Sequence, residues 1–363
     1  MRGKRVLLII GIAFPTFFSC VRRITPLIRE AAPILVVEGE IGTYPPPYTV
    51  KLSFTGANLN ASSTIDSNQH YINDAVVVIR DDAGDSTVLS LATSGNYETT
   101  DTNFVGIAGR TYRLVIHLSD GRTYVSNGER ITPVVPIDSI TAILDSTVIT
   151  DVRPTQFIVS VNSRDPATQG NYYRWTASGY IPRKSYGYNF TTGLPCYEPF
   201  NCYYKAYCEQ FSMNTQINVL SDQFVNGRKI TAPVFYSPIF WFGIHYVQVN
   251  QFSISQEMYA FWEKYLQQTN LTGGILDPLP QSLVGNIFNA ADSNDLAVGY
   301  FEASDMTSKK AIIIDYDLQQ YLLEVYGGQF IKPGDCTLVY PNSLPDEAQP
   351  AAWSDVTDTL KFQ

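Results

Sequence analysis

"TYRLVIHLSDGRTYVSN", residues 111–127, decides what kind of fold this chain can adopt. Tyr112, Leu114, Ile116 and Leu118 recur at every second position, with Arg113 and His117 between them. A period of two is the signature of a half-buried strand, because successive side chains of a strand leave on opposite faces. Asp120–Gly121 then permits a tight return, since glycine takes a positive φ at little cost, and Thr123, Tyr124 and Val125 resume the strand. The stretch therefore predicts an antiparallel hairpin with the four apolar residues inward. The same grammar continues N-terminally in "ILVVEGEI" (34–41), "YTVKLSF" (48–54) and "AVVVIRD" (75–81), the last apolar enough for burial on both faces. Residues 56–74 are polar and too many for a tight turn. Several short strands with no helix between them predict an antiparallel β-sandwich over residues 34–132.

Beyond it, "PVVPID" (133–138) reads as a domain junction, because its prolines remove backbone donors and stiffen the crossing. A second β-rich domain, 137–363, follows. "TQFIVSVN" (155–162), "NYYRWTAS" (171–178) and "HYVQVNQFSIS" (245–255) are strand-like. "DLAVGYFEAS" (295–304) and "KKAIIIDYD" (309–317) read as a strand pair. One amphipathic helix is predicted over 255–269, "SQEMYAFWEKYLQQT". Met258, Phe261, Trp262 and Tyr265 repeat at helical spacing, Ser255 can cap the first turn, and Gly273–Gly274 lie beyond the stop. A stripe of this kind is expected to be core.

The N-terminus places the protein. Arg2, Lys4 and Arg5 precede an uncharged run, Val6 to Phe18, that is too short for the ~20 apolar residues of a membrane-spanning helix. A basic start and an apolar run of this length form a secretory signal peptide, residues 1–19. Ser19–Cys20 at its end reads as a lipoprotein cleavage site, with Cys20 acylated. Residues 20–33, with Pro26 and Pro33, read as a tether. The net charge is −9, and no basic block occurs after the signal peptide, which argues against a nucleic-acid partner. Hydrophobic residues make up 45% of the chain, enough for a real core and against disorder.

Cys196, Cys202, Cys208 and Cys336 remain. An even set in an exported chain predicts disulfides, whose three possible pairings stay open. A metal site is the weaker reading: the cysteine spacings are wide for zinc, and only three histidines occur. The stretch "CYEPFNCYYKAYC" (196–208) packs Tyr197, Phe200, Tyr203, Tyr204 and Tyr207 among three of these cysteines. It reads as a cross-linked aromatic loop, either a surface for a partner or glycan or a cover for the core. "RDDAGDS" (80–86) reads as a hairpin turn rather than a calcium loop. No HExxH, no GxSxG elbow and no phosphate-binding glycine loop is present, so the residues nominate no catalytic group and no cofactor.

In succession, Cys20, "LVVEGEI", "PPYTVKLS", "GRTYRLVI", "VPIDSI", "VQVNQFSISQEMYAFWEKY", "GGILDPLPQSLVGNI" and "AVGYFEAS" resemble the lipoproteins of domain of unknown function 4249, found in Bacteroidota. The resemblance spans nearly the whole mature chain. It implies an immunoglobulin-like or transthyretin-like first domain, an outer-membrane lipid anchor, and a TonB-dependent receptor as a possible partner. The cell surface is the implied location, although Val21, Arg22 and Arg23 replace the acidic residues that often follow the anchor in surface lipoproteins. The expected function is a non-catalytic accessory or ligand-binding partner of such a transporter. A structural or adhesive envelope protein is the alternative, and a cryptic hydrolase the third reading.

Overall fold

The computed structural model describes residues 33–55, 70–145, 156–188, 195–207, 218–238, 244–269 and 283–314, with short pairs at 332–333, 343–344 and 359–360. Nine strands come first: β1 (Leu35–Gly42), β2 (Thr49–Phe54), β3 (His70–Tyr71), β4 (Val76–Asp81), β5 (Ser86–Thr93), β6 (Asn96–Thr99), β7 (Thr111–His117), β8 (Thr123–Ser126) and β9 (Glu129–Arg130). Then come β10 (Ile137–Asp145), β11 (Gln156–Arg164), β12 (Tyr172–Tyr188), β13 (Pro195–Tyr207), β14 (Asn218–Ser221), β15 (Lys229–Pro238) and β16 (Ile244–Ile254). Helix α1 (Gln256–Thr269), β17 (Val284–Asn289) and β18 (Asp292–Ile314) complete the main body.

The hairpin at 111–127 forms as its sequence dictates. Val115 faces Val125 across β7 and β8, and Gly121 takes a φ of 92° in the turn. Tyr112, Leu114, Ile116 and Leu118 are buried, while Arg113 and His117 are exposed. At the other end of β7, Asp81 receives the Ala83 and Asp85 amides and pairs with Arg110 at 2.7 Å, so "RDDAGDS" is a braced hairpin turn.

The first body is a closed barrel and not an immunoglobulin-like sandwich. Its ring runs β1, β2, β6, β5, β4, β7, β8, β17, β18 and back to β1. All neighbours are antiparallel except β1 and β18, which run parallel from Val36–Val298 to Gly42–Ser304. The expected sandwich fails because two strands of the ring come from 284–304, far outside 34–132. Without them β1 and β8 would be open edges; closure removes both. Leu35, Val37, Leu114, Ile116, Ile287 and Phe301 fill the interior as one apolar core. A packed apolar interior with Glu38, Arg80 and Arg113 on the outer wall is the reverse of a transmembrane barrel.

Glycine makes the closure possible. Gly299, at φ +100°, lies so close to β1 that an added Cβ would sit 2.0 Å from the Val37 carbonyl oxygen. An added Cβ on Gly285 would sit 1.5 Å from the Gly299 oxygen. Asn286 then locks the crossing, accepting the Phe301 amide at 3.0 Å and donating to its carbonyl at 2.9 Å.

In the second body the three-stranded sheet β10–β11–β15 packs on β12, β16 and the end of β18. Val159 and Val161 meet Trp175, Val247, Val249 and Ile313 in a shared core. The indole N–H of Trp175 donates to Gln251, whose amide donates to the Val135 carbonyl in the interbody crossing, so these two buried side chains are matched.

The two stretches read as a strand pair, 295–304 and 309–317, are instead joined, as far as the described residues reach, in one 23-residue strand, β18. Its first part closes the barrel; from Asp305 onward it pairs with β16 in the second body. No turn interrupts it because Asp305 is held at the crossing, accepting from the Thr43 hydroxyl and from the Val134 amide at 2.8 Å. Helix α1 forms where expected. Ser255 caps it, accepting the Met258 amide at 3.1 Å. Met258, Phe261 and Trp262 pack against Phe252, Ile254 and Tyr300, while Tyr265, last of the stripe, is exposed.

Candidate functional site

The densest buried charge among the described residues lies under α1, where barrel and second body meet. Glu40 and Glu302 are direct neighbours on the parallel strands β1 and β18. Arg174 reaches them from β12 and binds Glu302 through two contacts of 2.9 Å. The Arg174 side chain is 13% exposed and that of Glu302 is 7% exposed. Two rings line the guanidinium: Phe252 of β16 at 4.4 Å and Trp262 of α1 at 5.8 Å from their centroids. Four elements from both bodies thus converge on one cation.

Burial works against the charge on Arg174, but Glu302 and Glu40 outweigh it and hold the guanidinium charged. Glu40 behaves oppositely. Burial, then the neighbouring Glu302 charge, pushes its carboxyl above the ordinary range, against the pull of Arg174 and the Tyr44 hydroxyl. Tyr44 is itself pushed far up, first by burial and then by Glu40. A third carboxylate, Glu129, is buried and accepts from Tyr300 at 2.7 Å and Asn286 at 2.8 Å. It lies beside the capped end of α1, and burial raises its pKa too.

Chemically this is a lock. Arg174 is bound to Glu302 through two contacts, while Glu40 is hydrogen-bonded with Tyr44 and feels the Arg174 charge. Nε of Arg174 and Nε1 of Trp262 have no hydrogen-bond partner among the described residues. Sequence reasoning missed the cluster because its members lie far apart, Arg174 and Glu302 by 128 positions. A faint signal exists: each is a lone charge inside an aromatic strand, Tyr-Tyr-Arg-Trp and Tyr-Phe-Glu-Ala.

A family model described as a domain of unknown function, DUF4249, matches residues 21–310. The chain belongs to this family. The DUF4249 match covers both bodies and runs through most of β18. No curated protein matches the chain.

The sequence-nominated residues lie elsewhere. Cys20, Cys208 and Cys336 fall outside the described residues. The stretch read as an aromatic loop is largely a strand, β13, paired with β12 from Ser178–Tyr207 to Tyr188–Pro195. The correction has a physical reason: a partner strand of equal reach, β12, supplies the ladder that a loop would lack. Phe200, Tyr203, Tyr204 and Tyr207 are therefore ladder positions, and Tyr197 falls in the register shift between the Tyr186–Pro199 and Tyr188–Pro195 pairs. Tyr203 and Tyr204 also pair in register with Leu344 and Ser343. Cys196 and Cys202 share β13, about 20 Å apart by strand rise, whereas bridged cysteines have Cα atoms within about 7 Å. A bridge from either must therefore reach another cysteine, Cys208 or Cys336.

Proposed function

We propose that this DUF4249 protein is a non-catalytic outer-membrane lipoprotein, held by lipid on Cys20, that serves as an accessory or ligand-binding partner of a TonB-dependent transporter. The observation that carries the anchor is a coincidence of boundaries. The family match begins at residue 21, immediately after the cysteine that ends the uncharged run. The match leaves residues 1–20 outside it, which agrees with a leader over 1–19. The non-catalytic part rests on the seam, whose carboxylates are engaged by Arg174, Tyr44, Asn286 and Tyr300. The binding part rests on the aromatic composition of residues 196–208, since tyrosine combines a flat apolar face with a polar tip suited to a protein or glycan surface. The same stretch would serve an adhesive envelope protein that works without a transporter.

The anchor has a direct test. Cys20→Ala should leave the precursor uncleaved or release the protein from membranes, and the parent's N-terminal peptide should carry lipid on Cys20. A mature parent chain that retains residues 1–19, or a processed Cys20→Ala protein still held in the membrane, would reject it.

A further inference from the structure

The most exposed large apolar residue described is Phe224, at 82%. It ends a short 3-10 turn, Asp222–Phe224, between β14 and β15. The turn is rigidly braced. Asp222, 3% exposed, accepts the Asn171 amide and side chain at 3.0 and 3.1 Å. Asp165, 2% exposed, accepts the Tyr173 hydroxyl and the Gly227 amide. The Arg228 amide closes the loop onto the Val225 carbonyl at 2.7 Å. Two buried carboxylates are thus committed to holding a turn whose phenyl ring points into solvent.

Three cations follow the turn or pair with the strand after it. Arg228, Lys229 and Arg164 are exposed, and none has an ion-pair partner among the described residues. Arg164 and Lys229 stand directly opposite on β11 and β15, an arrangement unfavourable in isolation. The acids of these two loops, Asp165 and Asp222, are turned inward. A chain of net charge −9 thus exposes, on this turn and the strand pair that carries it, an aromatic ring and three long-stemmed cations.

We infer that this turn docks on an anionic lipid surface and fixes how the protein lies on its membrane. The argument is one of exposure and charge. An exposed turn with one ring needs no complementary groove when the partner is a deformable headgroup layer, and flexible Arg and Lys heads reach phosphates while the ring enters the interface. The inference rests on the anchor proposed above and adds what the anchor lacks. The stretch from Cys20 to Ile34 reaches at most about 50 Å, enough for several faces to touch the bilayer, so it selects none. The Phe224 turn selects one.

The test uses the full mature chain carrying Phe224→Trp, reconstituted in phosphatidylglycerol-containing vesicles whose acyl chains are brominated near the headgroup. The introduced indole should be quenched well beyond the four native tryptophans of the parent. Arg228→Ala and Lys229→Ala should each lower the docked-to-undocked ratio about fivefold, as should exchange for zwitterionic lipid. An anchored protein whose introduced indole escapes quenching, or is quenched regardless of lipid charge, would overturn the inference while leaving the anchor standing. If the chain proves unacylated, the anchor fails and the turn is tested separately by co-sedimentation with the same vesicles. Phe224→Asp, exposed and expected to keep the parent's circular dichroism, should then reduce binding about tenfold. No vesicle binding, or retention instead on a polyglutamate resin, would assign the turn to no lipid surface.

Discussion

Gly299→Ala should be among the most damaging substitutions in the barrel, costing about 4 kcal/mol or more by urea denaturation. Two effects add. At φ +100° an alanine is strained whatever the space around it, and its Cβ would meet the backbone oxygen of Val37 at 2.0 Å. The obstructing atom belongs to β1 itself, so it cannot swing aside as a side-chain tip would. Relief requires β1 and β18 to separate, which reopens both edges of the ring. Hydrogen exchange should show amides across β1 and the first half of β18 losing protection together. A Gly299→Ala protein with wild-type stability and protected β1 amides would mean the ring is not closed there. Gly121, at φ 92° but with nothing near its Cβ position, supplies the contrast. Gly121→Ala should cost only about 1–2 kcal/mol.

The second large effect is expected from Arg174→Ala, a loss of about 3–5 kcal/mol at neutral pH. Most of that loss comes from what remains behind: Glu302 keeps its burial without its partner, and Glu40 faces it across adjacent strands. The pH dependence follows from the direction of the Glu40 shift. In the folded state its carboxyl holds a proton more tightly than in the unfolded chain, so the fold loses stability as pH rises from the ordinary carboxylate range through the folded value. Removing Arg174 removes a pull that lowers this pKa, so the window moves upward. The Arg174→Ala protein should therefore recover part of its deficit on acidification toward pH 5, and Glu40→Gln added to it should restore stability at neutral pH. A deficit independent of pH, and unchanged by Glu40→Gln, would show that lost packing against Phe252 and Trp262 explains the effect.

What the sequence disclosed and what it hid divide along one physical line. Local periodicity is legible, so the 111–127 hairpin, the Asp81 turn and the Ser255-capped helix form where their residues place them. Partnership between distant segments is not. Nothing in 295–304 announces that it will pair with 36–42, and a strand passing between two bodies looks like two strands when Asp305 falls between apolar runs. The barrel was therefore illegible although most of its strands were not. The seam was hidden likewise, since Arg174, Glu40 and Glu302 become neighbours only through that closure. The aromatic stretch misled for a different reason. Its prolines and cysteines break the apolar rhythm, and only the long partner β12 makes it a strand.

The proposed role is tested most directly by purifying the tagged, full-length DUF4249 protein at native expression from gently solubilised outer membranes and weighing what accompanies it. The account predicts a TonB-dependent receptor in near-equimolar amount, lost neither at moderate salt nor on dilution. Recovery of the protein alone, or with envelope glycan or protein and no receptor, would contradict it and leave the adhesive reading in its place.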